Sequence, residues 1–68
     1  MEYFEVYPHT YVRVREEDYF AEYYEPGRGW IPNRHYVEEV FYNGGGDPLT
    51  EAEAMAGIAA QEAELVAA

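Results

Sequence analysis

The first residues in this chain whose type and spacing could do chemistry are carboxylates: Glu16, Glu17 and Asp18 in a row, and Glu38 beside Glu39. Two carboxyls share acid and base roles when a cleft holds them about 5 to 10 Å apart and desolvates one of them. A chain of 68 residues has little room for such a cleft, and neighbouring carboxylates in water need no further explanation. They read as a solvated turn and a solvated helix face. The glycines at 44–46 have the composition of a phosphate-cradling loop, but such loops keep a basic residue nearby. Residues 43–68 hold five acids and no base, so the glycines read as a linker. No segment offers the alternating oxygen ligands of a calcium loop. His9 and His35 stand far apart without companions at metal-ligand spacing, and there is no Cys. The expectation is a protein that is not an enzyme, with no cofactor and no metal.

Aromatic residues offer the alternative chemistry. Trp30 follows a turn containing Gly27, Arg28 and Gly29, and Trp, Tyr and Arg are the residues that most often anchor protein interfaces. Trp30 is equally the largest piece of core open to a small protein, and the sequence leaves that choice open. Tyr3, Tyr7 and Tyr11 alternate away from Phe4, Val6, Val12 and Val14, which gives a sheet face of tyrosines interleaved with Glu5, Arg13 and Arg15. Such a face either stabilises itself through cross-strand pairs or serves as a rigid, amphipathic binding platform. Trp30, Arg28, Tyr3, Tyr7 and Tyr11 are the expected contact residues.

Charge narrows the partner. Fourteen Asp and Glu oppose four Arg and no Lys, a net charge of -10, in a chain that also carries eight Tyr. A disordered acidic tail would lack the aromatics, so the composition reads as a folded acidic domain. Direct nucleic-acid binding relies on neutralising phosphates with Lys and Arg, and four Arg are too few. The favoured partner is another protein with a basic surface. The rival reading is an acidic mimic that occupies the basic groove of a nucleic-acid-binding protein. No single element carries the close files of carboxylates that mimicry needs. The N-terminal residues have neither a basic start nor an apolar stretch, and no apolar run is long enough to span a bilayer. A cytoplasmic protein without membrane association is expected.

The elements that must position these residues follow from periodicity. Strands are expected within residues 2–31, with Pro8 and His9 separating the first two as a tight turn or a bend, and with Ala21 and Tyr23 facing inward together with Tyr19. A helix over residues 34–42 has Asn33 as its N-cap and turns Tyr36, Val37, Val40 and Phe41 to one side. A Gly linker spans 43–47. The last helix, 49–66, opens on a Thr50–Glu53 capping box. Its pattern from Glu51 to Ala56 recurs eleven residues later, close to three whole turns, so that Ala52, Met55, Ala59, Ala63 and Val66 share a face. That face is expected to lie on the sheet, or to meet a second copy in a homodimer through the C-terminal helix.

Strands followed by Gly46-Asp47-Pro48-Leu49-Thr50-Glu51-Ala52-Glu53-Ala54 leading into an Ala-rich helix resemble the corresponding helix start of HicB-type antitoxins. The helix around Tyr36 and Phe41 departs from that pattern. The resemblance implies an antitoxin-like partner protein as a further alternative, and no residue role is carried over from it. The expected fold is a single α+β domain: a small antiparallel sheet of three or four strands followed by two helices packed on one face. The expected function is a non-catalytic acidic protein-binding module, a small regulator or inhibitor acting through its aromatic surface.

Overall fold

Alternation of the side chains between two faces decides the first three elements, and a glycine-containing turn brings back the fourth. In the computed structural model, which describes residues 1–6 and 8–67, β1 is Glu2–Val6, β2 Thr10–Arg15, β3 Phe20–Glu25 and β4 Gly29–Pro32. Successive hairpins join them. The first turn is tight: the His9 amide donates to the Val6 carbonyl at 3.1 Å, with His9 at a φ of 127°. Glu25 to Arg28 form a turn closed by the Arg28 amide on the Glu25 carbonyl at 2.9 Å, with Pro26 setting φ and Gly27 at +83°.

The sheet has five antiparallel strands in the order β4-β3-β2-β1-β5, which corrects the expectation of three or four. The additional strand, β5, is Gly46–Leu49, within the segment read as linker and helix lead-in. Its residues have poor strand propensity, but the free edge of β1 supplies pairing from Tyr3↔Leu49 to Val6↔Gly46. Pro48 has no amide to donate and is tolerated because β5 is an edge. Gly46 is required there, since a Cβ would lie 2.6 Å from Val40 Cγ1.

The helix α1, His35–Phe41, carries the chain from β4 at one edge to β5 at the other. Asn33 Oδ1 accepts from the His35 amide at 3.0 Å, so the expected cap contact is made from one position before the residue that flanks the helix. Phe4, Val6, Val12, Val14 and Ala21 point to one side of the sheet and form the core with Val40, while Tyr23, Tyr36 and Val37 pack against its margin. Val12 and Val14 are fully buried, and each buried side chain of this size contributes about 1.5–3 kcal/mol. Ala21 and Tyr23 face inward as expected; Tyr19 does not continue that face but occupies the turn before β3, at a φ of 54° and 61 % exposed.

The second helix, α2, is Glu51–Ala67. It lies across the opposite side of the sheet, so the two helices do not share a face. Tyr3, Tyr11 and Tyr24, which point away from the apolar core, are the residues it meets. Its orientation also differs from expectation. Ala54 and Ile58 are buried with Gly57, Gln61 and Glu62 beside them, whereas Ala52, Met55, Ala59, Ala63 and Val66 face outward, Val66 being 86 % exposed. The reason lies in the sheet: its second face is built of tyrosines, arginines and acids, and only the side of α2 with a glycine and hydrogen-bonding groups fits it.

Candidate interaction surface

The face under α2 is laid out by register. Tyr3 stands opposite Arg13, Arg13 opposite Glu22, and Tyr24 opposite Trp30. Trp30 lies on β4 and Tyr3 three strands away on β1, yet their ring centroids are 6.5 Å apart. Both side chains lean over the centre of the face, where the Arg13 guanidinium sits 4.2 Å from the Trp30 ring centroid. Tyr24 meets Trp30 edge-on at 5.2 Å and 77°. Arg13 Nε donates to Glu22 Oε1 at 2.8 Å, so the cation on the indole is itself oriented by a carboxylate. Cation–π contact of this kind contributes about 0.5–1 kcal/mol at exposed sites and more when desolvated.

The helix covers part of this face. It starts beside Tyr3, whose hydroxyl donates to Glu51 Oε2 at 3.0 Å. It crosses Tyr11, whose ring and hydroxyl occupy the space a Cβ at position 57 would need. Near its end Glu62 Oε1 accepts from the Tyr24 hydroxyl at 2.5 Å and from the Gly27 amide at 3.0 Å, and Gln61 Nε2 donates to the His9 carbonyl. These bonds leave electrostatic signatures. Tyr24 and the Gly27 amide hold the Glu62 carboxyl below its ordinary range, and the same bond raises Tyr24. Burial, with Glu51 adding to it, raises Tyr3; burial, with Glu5 adding to it, raises Tyr11.

Around Phe20 and Arg15 the face stays open. Phe20 is 40 % exposed with Arg15 4.9 Å above its ring, and Arg15 is held in turn by Asp18 in a two-pronged contact of 2.9 and 2.7 Å. The structure therefore brings Trp30 and Tyr3 together, with Tyr11 behind them under the helix. Arg28 stands apart at the tip of the β3–β4 turn, its side chain 71 % exposed and 3.6 Å from Glu25. Tyr7 lies outside the described residues. The sequence places Arg13 among the tyrosines of this face, but it does not single out Tyr24 or Phe20 as part of it. The parity of β3 favoured from the sequence already placed Phe20 and Tyr24 on the same side as Arg13, and that was the available signal.

A second aromatic group, also unanticipated, sits at the far margin of the α1 side. Tyr19 and Phe41 meet edge-on at 5.9 Å, and Tyr42 beside them is 80 % exposed. Among the described residues there is no group of three or more His, Cys, Asp or Glu that could hold a metal ion, and no helix is long and apolar enough to cross a membrane. No protein-family model, curated protein or solved structure matches this chain, so the likeness of its α2 start to HicB-type antitoxins gains nothing from them.

Proposed function

We propose that this chain is a non-catalytic protein-binding module that uses the open part of the sheet face, with Trp30 as its anchor, against a partner protein with a basic surface. One observation carries the reading. Trp30 is held by the Arg13 guanidinium over its ring and by Tyr24 edge-on, yet remains only partly buried. A ring already held in place loses little conformational freedom on binding, which is the property of an interface anchor. Arg28 and Trp30 make direct contact in this proposal, Tyr3 and Tyr11 buttress them, and Tyr7 keeps its place by sequence alone. The net charge of -10 steers a basic partner towards the molecule.

Mimicry of a phosphate backbone is the weaker reading. Glu22 and Glu62 are half-buried and hydrogen-bonded to Arg13 and to Tyr24, which takes them out of any outward file of acids. A captured partner should lose about 30-fold in affinity on Trp30→Ala, as at a binding hot spot, and less on Arg28→Ala. Unchanged affinity for Trp30→Ala together with collapse in moderate salt would favour the mimic instead. The outward stripe of Ala52, Met55, Ala59, Ala63 and Val66 favours a homodimer as a second reading. Its flanks carry the exposed Glu51 on one side and the exposed Glu53 and Glu64 on the other, so such a dimer should strengthen with salt in sedimentation equilibrium.

A further inference from the structure

The margin of the α1 side carries a notch unlike the rest of the surface. It is lined by Tyr19, Phe41 and Tyr42 with Glu2 and Glu16 at its rim. Tyr19 and Phe41 stand at 85° to each other, so their rings form two walls of a corner, and Tyr42 adds a third ring that is largely solvated. Three aromatic side chains and two carboxylates, without a cation among the lining residues, match one chemistry: an alkylammonium group, whose charge is attracted by the rings and whose methyl or methylene groups lie against them. An anion would be repelled by both acids, and a plain apolar group would leave the carboxylates without a role.

Two further observations bear on the notch. The Met1 ammonium stands 3.8 Å from Glu16 Oε1, so a cation is already drawn to this rim, at a distance too long for a good hydrogen bond. Tyr19 adopts a φ of 54°, a conformation in which a bulky residue is an outlier and Gly or Asn would be at ease. The turn would form more readily with either of those, yet it holds a tyrosine, and what the tyrosine adds is the ring on Phe41.

We propose that this notch receives the ammonium of a lysine or methylated lysine side chain presented by a partner protein. The proposal shares with the reading above only the idea of a basic partner. It lies on the other side of the sheet from Trp30, and Trp30→Ala should leave it unchanged, so the two can fail separately.

The test is an NMR titration of the whole chain with choline, with 3,3-dimethylbutanol as the uncharged isostere, and with a short peptide carrying trimethyllysine, all at constant ionic strength. Choline should shift the ring protons of Tyr19, Phe41 and Tyr42 saturably, and the isostere should bind several-fold more weakly. Tyr42→Ala and Tyr19→Asn should each weaken binding about two- to fivefold, the loss of one exposed cation–π contact. Both variants should remain folded, because the Tyr42 side chain is solvated and Asn suits the backbone at position 19. Equal binding of choline and the isostere would overturn the proposal, as would wild-type affinity in both variants. Binding of choline without binding of the peptide would overturn the assigned source, a protein side chain.

Discussion

The two faces of the sheet hold their helices by different physics. On the α1 side, adhesion comes from volume: Phe4, Val6, Val12, Val14, Ala21 and Val40 exclude water together. On the α2 side only Ala54 and Ile58 of the helix are buried, and the rest of the attachment is a set of discrete bonds, Tyr3 to Glu51, Tyr24 and Gly27 to Glu62, and Gln61 to the His9 carbonyl. A buried side chain of this class contributes about 1.5–3 kcal/mol, a typical hydrogen bond a net of about 0.5–1.5 kcal/mol. The first face is therefore the stronger and the less sensitive to pH. The second is weaker, sensitive to shape and ionisation, and leaves Arg15 and Phe20 exposed.

The largest expected effect tests the first half of that contrast. Phe4 is almost fully buried and meets Phe41 edge-on at 5.5 Å. Phe4→Ala should cost about 3–5 kcal/mol, enough to unfold much of a domain of this size, whose total stability is on the order of 3–10 kcal/mol. Urea unfolding followed by far-UV circular dichroism measures it. A loss under 1 kcal/mol would show that the apolar face is not the main support.

Next in size is the close approach of α2 to the sheet. A side chain at position 57 would collide with the Tyr11 ring and hydroxyl. Gly57→Val should destabilise by about 1–3 kcal/mol through overpacking, and Trp30 fluorescence should report the displaced helix. Adding Tyr11→Ser should recover part of the loss. If the two substitutions are simply additive, the helix does not rest on Tyr11 and the account of this face fails.

The same contrast explains what was legible in the sequence. Period-two alternation exposed the apolar face of β1 to β3, including the inward Ala21 and Tyr23, and local chemistry exposed Gly27, Gly29, Asn33 and the Thr50–Glu53 box. Three things were hidden. β5 is a strand because β1 has a free edge, and nothing in Gly46-Asp47-Pro48-Leu49 announces it. Trp30 meets Tyr3 only because three strands of sheet order bring them within reach. The buried side of α2 is not its most apolar side, because the surface it covers is polar and aromatic. The eleven-residue recurrence held a clue to that docking. It puts Glu51 and Glu62 on one row about 16 Å apart, and these are the two acids that bond Tyr3 and Tyr24.

A smaller effect sharpens where α2 begins. Thr50 Oγ1 accepts from the Glu53 amide at 3.1 Å, and Glu53 Oε1 accepts from the Thr50 amide at 2.8 Å. Thr50→Ala removes the first bond and should cost about 1 kcal/mol. Amide exchange should accelerate in the first turn of α2 and stay unchanged in α1. Equal acceleration in both helices would mean that the two faces unfold as one unit and that the contrast has no dynamic consequence.

The smallest effect separates the faces by pH. The Glu62 carboxyl is held low in the folded chain by Tyr24 and the Gly27 amide. Its stabilisation is full above the ordinary Glu value, about 4.3, and is lost as pH falls through the lowered folded value. Tyr24 is raised by the same bond, so its contribution is full below the ordinary Tyr value, about 10, and is lost as pH rises through the raised folded value. Tyr3, raised chiefly by burial with Glu51 adding to it, acts in the same direction at the alkaline end. The C-terminal half of α2 should therefore loosen at both extremes while the core around Val12 and Val14 holds. The Gly27 amide, a donor to Glu62, is the probe: normalised for intrinsic exchange chemistry, its protection should fall at both ends. Glu62→Gln should flatten the acid limb, and Tyr24→Phe should reduce both. A pH profile at Gly27 identical to that of the Val14 amide would show that α2 is held by the apolar core after all, and that its bonds to the tyrosines follow from docking instead of causing it.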